Sequence, residues 1–390
     1  MMGKNKALDA LKKNTMLIAL VLVIVFFYIT TEGKILYAQN INNLISQNAY
    51  VFVLSTGMLL CILTGGNVDL SVGSVVCFTG GIGAMMMDKG MNCWVAVIAM
   101  LGVGLLVGMF QGFWVAYVKV PPFIATLAGM YAFRGLSNVV MNGYAITVSD
   151  ETFLNVFGGG ANCYIPDFFN GEKFNLTCFV VCDILILIII AVSLRNRIVR
   201  QKKGYEVDPL FIGVLKRAIA IIIMLWISYK LSEYKGIPSA LVWIGAILLI
   251  YYYITKRTAM GRYLYAVGGN EKATRLSGVN TKKVYFFAYA NMGLLAGLAG
   301  ILTIARAASC QPTYGQGYEM DAIASCFIGG ASAYGGVGSV GGMVVGAVLM
   351  GVINQGMSIM GIESNYQKVV KGIVLLIAVI FDVMSKKEKK

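Results

Sequence analysis

The sequence has no histidine among its 390 residues. This absence excludes Ser-His-Asp and Cys-His nucleophilic sites, the HExxH metalloprotease motif and imidazole ligands for a metal. A phosphate-binding loop is missing too, because neither Gly-Lys pair, at residues 3–4 and 33–34, ends a GxxxxGK[ST] motif. We therefore expect this chain to bind no cofactor and to hydrolyse no ATP.

Charge is also scarce. Only 13% of the residues are charged, 58% are apolar and 46 are glycine, whereas soluble domains average about 25% charged and about 45–50% apolar residues. A bilayer tolerates such a surface, so we expect an all-α polytopic membrane protein. The net charge of +14 could by itself indicate a nucleic-acid partner, but the positions of the basic residues give it another meaning.

The eight cysteines lack the CxxC spacing of zinc sites. Most lie inside apolar runs, where we expect them to be small buried hydrophobic side chains.

Apolar runs long enough to cross about 30 Å of hydrocarbon recur along the chain. We predict about twelve crossings, ten in a core and two in an inserted hairpin, near 15–31, 47–64, 70–87, 93–117, 123–141, 176–194, 214–231, 238–255, 284–305, 320–333, 339–359 and 366–384. The run 214–231 is the weakest, because Lys216 and Arg217 shorten its apolar part.

Basic residues near helix ends mark the cytoplasmic side of a membrane protein. Of the 32 basic residues, 23 fall in five places: before the first run, at Lys119, in the loop around 195–217, in the loop 256–283 and at the end of the chain. This bias predicts an even number of crossings with both termini cytoplasmic. The chain then divides into a basic N-terminal segment (1–14), a transmembrane domain (15–385) and a basic tail (386–390).

Two glycine-rich segments interrupt the apolar runs: TGGNVDLSVGS at 64–74 and IGGASAYGGVGS at 328–339. Non-helical chain at membrane depth must be buried in protein or line a cavity, and broken helices at matching points of two halves indicate a transport pathway. The alternative is a cytoplasmic turn between two short helices.

Asp69 lies within the first break and Asp321 begins the short run 320–333, and ionisable residues at membrane depth are costly. Arg306 lies near the predicted outer end of a crossing, where its long side chain can extend into water, and this is enough to explain a charged residue at that position.

Glycines at i, i+4 and i+8 stack on one face of a helix. Gly104, Gly108 and Gly112 have this spacing, as do the pairs Gly293–Gly297 and Gly342–Gly346. We expect neighbouring helix backbones to approach closely there.

The segment 256–283 contains a short capped helix. Asn270 is a good N-cap, Glu271 suits the positive helix end, and Gly278 supplies a stop. We predict a helix over 271–277 that carries Glu271, Lys272 and Arg275 outward and fits the cleft of a cytoplasmic partner.

Five motifs together resemble the membrane permease of bacterial ABC importers for monosaccharides, of the ribose, galactose and xylose type. They are GGNVDLSVGS (65–74), VPPFIATLAGMYAFRG (120–135), GRYLYAVGGNEKATRLSGVN (261–280), QPTYGQGYEMDAIASCFIGG (311–330) and NYQKVVKGIVLLIAVIFD (365–382). An insertion at 176–235, relative to the shorter ribose-type members, is similar to the xylose or multiple-monosaccharide branch.

The resemblance implies a permease homodimer in the bacterial inner membrane. It also implies a cytoplasmic ATPase with tandem nucleotide-binding halves, which carries ATP and Mg, and an extracytoplasmic sugar-binding protein. The loop 256–283 would hold the helix that couples to the ATPase, through Gly269, Asn270, Glu271, Ala273, Arg275 and Gly278. The pattern Glu-x-Ala-x-x-x-x-Gly matches the family's coupling loop approximately, with Lys272 where the shorthand has alanine.

For the substrate pathway we select polar residues of the two breaks and nearby aromatic residues, because sugars need hydroxyl partners and an apolar ring face. They are Asn67, Asp69, Ser71, Ser74, Asp321 and Ser332, with Phe123 and Tyr131 as stacking faces.

Two other functions fit part of the sequence. An ion-coupled secondary transporter could bind a proton or sodium at Asp69 or Asp321, but the capped cytoplasmic helix fits it poorly. ABC permeases for nucleosides or other small polar solutes are close neighbours of the sugar permeases. A membrane-embedded enzyme has no nucleophile motif or ligand cluster to support it.

Overall fold

The computed structural model describes residues 15–169, 171, 174–204 and 210–387. The predicted N-terminal segment 1–14, part of the basic loop (205–209) and residues 388–390 of the tail lie outside these ranges. Within them the chain forms sixteen α-helices and one two-stranded sheet. The helices are α1 (Thr15–Thr30), α2 (Ala38–Gln47), α3 (Ala49–Leu63), α4 (Val72–Asp88), α5 (Cys93–Phe113), α6 (Pro122–Val140), α7 (Glu151–Phe157), α8 (Leu176–Lys202), α9 (Leu210–Glu233), α10 (Ser239–Arg257), α11 (Ala259–Gly269), α12 (Glu271–Leu276), α13 (Thr281–Ala307), α14 (Tyr318–Ile328), α15 (Val340–Ile359) and α16 (Ser364–Lys387), and the strands are β1 (Ile146–Thr147) and β2 (Ser309–Cys310).

A helix coincides with each of the twelve predicted apolar runs. In the described part of the chain, six helices are long and apolar enough to cross a membrane, or seven if the bent pair α2 and α3 is one span. The helices α1 and α4 are apolar but shorter. In the predicted hairpin, α8 and α9 pack against each other and meet the rest of the bundle at Cys178, Leu231 and Ile237. The chain is therefore a polytopic helical protein.

The long helix α13 forms the axis of the bundle. Its 27 residues span about 40 Å at 1.5 Å per residue, and its neighbours are α3, α4 and α5. It is mostly buried. Every other part of the fold can thus be placed relative to its two ends.

Glycines make the contact between α5 and α13 close. A Cβ built at Gly108 would lie 2.5 Å from the Tyr289 carbonyl oxygen, and one at Gly104 would lie 2.5 Å from that of Gly293. No side chain fits between these backbones, which confirms the predicted close approach. Gly342 and Gly346 do the same for α15 against α14.

The two ends of α13 differ. At its N-terminal end lie α11 and α12, and we call this the α12 end. At its C-terminal end β2 follows and pairs antiparallel with β1, Cys310 opposite Ile146, and we call this the strand end.

The first glycine-rich segment enters the bundle from the α12 end. There Gly65 approaches the hydroxyl of Tyr285 in the second turn of α13, whereas in α4, which follows the break, Val76 and Thr79 lie against Gly300. Residues 64–71 are not helical. This segment therefore replaces the beginning of a helical crossing with irregular chain inside the protein, as predicted for a broken helix.

The second segment stays at the α12 end. Its Gly335 lies against Gly65, and Gly330 lies against Met16 at the start of α1, while Tyr334 and Val337 are exposed. This arrangement is a turn between α14 and α15, which is the alternative that the sequence left open. The two segments meet, but they are not equivalent.

A third irregular segment, 311–317, enters from the strand end. Gly315 reaches Gly73 in the first turn of α4, so closely that a Cβ on either would lie 2.0 Å from the other's carbonyl oxygen. The Arg134 guanidinium donates to the carbonyl oxygens of Pro312 (3.2 Å) and Tyr314 (2.6 Å) and holds the segment in place. The sequence of this segment did not predict that it runs into the bundle.

Candidate translocation and coupling site

Asp69 organises the first break. One of its carboxylate oxygens accepts from the Ser71 amide (2.9 Å) and the Ser71 hydroxyl (2.6 Å), and Gln111 of α5 donates to the same hydroxyl (2.6 Å). Asp69, Ser71 and Gln111 are all buried. Asp69 therefore fixes the start of α4 and, through Ser71, ties it to α5.

The other polar residues chosen from this break lie beside that chain of bonds. Asn67 is half-buried and donates to the Thr64 hydroxyl (3.2 Å). Ser74 is buried, and its hydroxyl has no hydrogen-bond partner in the described part of the chain. Asn67, Asp69, Ser71 and Ser74 thus share one region. Gln111, which sequence reasoning missed, belongs with them.

Asp321 lies elsewhere, in the first turn of α14, within a buried polar cluster. One carboxylate oxygen accepts from Tyr50 (2.6 Å) and forms an ion pair with Lys371 of α16 (2.9 Å), and Asn354 lies 3.5 Å away. Asp321 is fully buried, and the Lys371 side chain is 16% exposed. The negative charge is balanced within the protein, so this carboxylate needs no bound ion.

The remaining predicted pathway residues do not join these groups. Ser332 is buried in the turn at the α12 end, where its hydroxyl accepts from the Tyr334 amide (3.1 Å). Phe123 and Tyr131 are 58% and 70% exposed on α6. Within a single chain the eight residues therefore do not converge on one surface, and their role in a pathway stays a prediction.

The short helix α12 forms where the sequence predicted it. The Asn270 side chain accepts from the Ala273 amide (2.9 Å), and Gly278 follows with φ +86°, a conformation that favours glycine. Lys272, Arg275 and Leu276 are exposed, Leu276 at 80%. An apolar side chain held this far outward beside basic residues suits burial against a partner.

Glu271 faces outward only in part, because its side chain is 39% exposed and its carboxylate bonds back to the bundle. Its carboxylate accepts from the Thr281 hydroxyl (3.0 Å) and the Tyr285 hydroxyl (3.0 Å) and pairs with Lys119 (3.4 Å). Partial burial opposes its ionisation, but the bonds from Thr281 and Tyr285 and the charge of Lys119 outweigh it and lower the pKa of Glu271. This side chain attaches α12 to α13 and to Lys119, which lies between α5 and α6.

The helix α11, which leads into α12, touches the last residue of α3, just before the first break, and the second glycine-rich segment. A Cβ built at Gly268 would lie 1.9 Å from the Leu63 carbonyl oxygen and 2.3 Å from the Gly336 nitrogen, and the Gly336 amide donates to that same carbonyl (3.1 Å). Backbone from three elements therefore meets at Gly268. The only sequence signal for this contact was the glycine pair 268–269 before the cap.

These features define a polytopic membrane protein in which an interrupted crossing is linked through backbone contacts to a projecting helix. Residues 40–379 match the family described as the permease component of the branched-chain amino acid transport system. The chain belongs to this family, and the resemblance to ABC permeases is confirmed.

Curated relatives are similar over almost their whole length. The xylose transport system permease protein XylH of Haemophilus influenzae is 37% identical over 96% of this chain and 96% of its own. XylH of Escherichia coli K12 is 36% identical (95% and 92%). The ribose import permease protein RbsC of E. coli K12 is 34% identical (94% and 92%). No solved structure is significantly similar to the chain.

Proposed function

We propose that this chain is the translocation subunit of an ATP-binding-cassette importer that carries a monosaccharide, of the xylose type, across the membrane. The observation that carries the proposal is α12, a capped helix with Arg275 and Leu276 exposed, joined through Gly268 to the interrupted crossing. The relatives named as xylose and ribose permeases support the substrate class.

The proposal includes the partners and the topology. The permease acts with a second copy of this chain, a cytoplasmic ATPase with tandem nucleotide-binding halves that holds ATP and Mg, and an extracytoplasmic sugar-binding protein. With twelve crossings, both termini and the loop 256–283 lie in the cytoplasm of a bacterium, and the helices of the transmembrane domain 15–385 cross the inner membrane. Phe123 and Tyr131, being exposed on α6, can line a pathway only where the second copy faces that helix.

The contacts give a route for coupling. Closure of the ATPase moves α12, and α11 moves with it because the two helices adjoin at Asn270. Gly268 then displaces Leu63 and Gly336, since backbone contacts leave no flexible side chain to absorb the motion. The first break shifts with Leu63, and the bonds through Ser71 to Gln111 carry the shift to α5. Access to the pathway changes sides as these elements move.

Uptake by the reconstituted complex tests the function. Proteoliposomes with the permease and its ATPase should accumulate labelled xylose only with ATP and loaded binding protein, and loaded binding protein should speed ATP hydrolysis. Ribose, a nucleoside and leucine serve as competing substrates. Uptake that persists without the ATPase and collapses with an uncoupler would refute the proposal in favour of an ion-coupled transporter.

Docking through α12 has its own test. Leu276→Asp should prevent copurification of the ATPase with the permease, because an unpaired charge would be buried in the partner's cleft. Lys283→Glu, an exposed change in the next helix, is the matched control and should leave the complex intact. Equal copurification of both variants would contradict docking at α12.

A further inference from the structure

A cavity opens at the strand end, between the junction of α2 and α3, the last turn of α13 and the segment 311–317. Its volume is about 210 Å³, and its lining includes Gln47, Tyr50, Thr303, Arg306, Tyr314 and Tyr318. At about 30 Å³ for each water in the liquid, this is the space of about seven water molecules. One small polar solute fits such a space.

The walls combine an aromatic face with hydrogen-bonding groups. The rings of Tyr50 and Tyr318 stack with centroids 3.6 Å apart and planes within 12°. Ser46, Gln47 and Thr303 add polar groups nearby. A rigid aromatic wall with a few placed polar groups is the usual composition of a site for a small ligand, and an outer face of this stacked pair would suit the C–H side of a sugar ring.

Arg306 is half-buried in the cavity wall, and one of its donors has no partner within the described chain. Its Nε is buried without a hydrogen-bond partner in the described part of the chain. Buried polar atoms are nearly always paired with protein or water, so a water or a ligand from outside the chain would complete the hydrogen bonding of Arg306. The sequence suggested only that Arg306 reaches toward water.

The charge of the lining distinguishes between ligand classes. Arg306 is the only side chain among the described lining residues that is charged at neutral pH. An amino acid would bring its ammonium group into this space with no carboxylate to receive it, whereas sugar hydroxyls can accept from Arg306 and exchange hydrogen bonds with Gln47 and Thr303. The carboxylate of an amino acid could pair with Arg306, but its ammonium group would find no acidic partner in the described lining, whereas a neutral polyhydroxylated ring buries no unpaired charge of its own.

The position of the cavity is also informative. It lies at the opposite end of α13 from α12, about 40 Å away by helix length. Its floor residue Tyr50 donates to Asp321, which pairs with Lys371. An occupant would therefore touch α3, α13 and α14 at the face opposite the coupling helix, where an extracytoplasmic binding protein would release its cargo.

We propose that this cavity is an entry site for one monosaccharide, which the Arg306 guanidinium and the Gln47 amide hold by its hydroxyls against the Tyr50–Tyr318 face. The proposal rests on the proposed function, because it takes the substrate class and the direction of transport from it.

The test uses the full permease in nanodiscs, with xylose binding followed by saturation-transfer NMR, and the reconstituted importer, with the KM for uptake at fixed binding protein. Arg306→Met should weaken apparent xylose affinity by on the order of tenfold or more, the usual loss for a hydrogen bond to a charged group. Gln47→Leu should weaken it by about two- to tenfold. Gln39→Leu, an exposed glutamine of the same helix that does not line the cavity, should match the wild type.

Each outcome decides something. Gln47 and Gln39 are both exposed, so their variants separate a binding role from a folding defect even if Arg306→Met fails to fold. If the wild type transports xylose with ATP but both cavity variants keep its affinity and KM, the entry site is refuted and the importer stands. Leucine binding as strong as xylose binding would refute the ligand class. If the wild type transports no monosaccharide, the proposed function fails, and the entry site fails with it.

Discussion

Gly268→Ala tests the link between the coupling helix and the transport pathway. A methyl group at residue 268 would meet the Leu63 carbonyl oxygen at 1.9 Å and the Gly336 nitrogen at 2.3 Å. Real Cβ contacts do not fall below 3.0 Å, so α11 and Leu63 must separate by about 1 Å, and both obstacles are backbone. Forcing a group into a packed interior costs about 1–3 kcal/mol.

The neighbouring glycine provides a matched control. A Cβ at Gly269 has no atom within 4 Å, and both glycines lie in the last turn of α11. Replacing glycine by alanine in a helix stabilises it by up to about 1 kcal/mol, and this gain applies to both variants. The free energies of unfolding of Gly268→Ala and Gly269→Ala should therefore differ only by the cost of the steric clash at residue 268, about 1–3 kcal/mol. Thermal unfolding of the two variants in the same detergent measures the direction of this difference.

Function should separate the two variants more clearly than stability does. We expect Gly268→Ala to assemble with the ATPase yet to lose most uptake per ATP hydrolysed, because the displaced α11 no longer positions Leu63 and Gly336. Gly269→Ala introduces no such clash, so it should lose clearly less uptake per ATP hydrolysed than Gly268→Ala. Equal uptake and equal unfolding temperatures for the two variants would refute the reasoning.

Three further predictions follow from single contacts. Lys371→Met leaves the buried Asp321 carboxylate unpaired and should destabilise the protein by about 3–5 kcal/mol, and adding Asp321→Asn should recover most of the loss in thermal unfolding; no recovery would contradict the ion pair. Gly108→Ala should destabilise the α5–α13 contact by about 1–3 kcal/mol, whereas Gly102→Ala, exposed and with no atom within 4 Å of its Cβ, should be neutral or slightly stabilising. Because the pKa of Glu271 is lowered in the folded protein, its ionised carboxylate stabilises the fold fully above the ordinary glutamate pKa of 4.5, and this stabilisation is lost as the pH falls through the lower folded pKa. The difference in unfolding temperature between wild type and Glu271→Gln should therefore shrink over that acid range. A difference that stays constant would exclude the contact.

Local patterns predicted the helices well. Each apolar run became a helix because a chain without water must bond its own backbone. Asn270 and Gly278 bounded α12 because capping depends only on neighbours within one turn. The glycine faces of α5 and α13 were likewise readable, since helical spacing alone puts Gly104 and Gly108 on one side.

The candidate site was predicted only in part. Asn67, Asp69, Ser71 and Ser74 do lie together, because they are near in sequence. Phe123 and Tyr131 were chosen by residue type, and type does not reveal which side of α6 faces outward. Glu271 was expected to face outward because charged residues of a loop usually do, but Tyr285 and Lys119 reach it from other elements.

The sequence by itself determined the class of protein, the positions of the helices, the two glycine-rich breaks and the capped helix, because hydropathy and capping are local properties of the chain. Only the tertiary structure decided which breaks enter the bundle, that Lys371 balances Asp321, that Gly268 meets Leu63 and Gly336, and that Arg306 faces a cavity. Each of these depends on backbone or charge from segments distant in sequence, and such pairings are fixed by how the helices pack around α13.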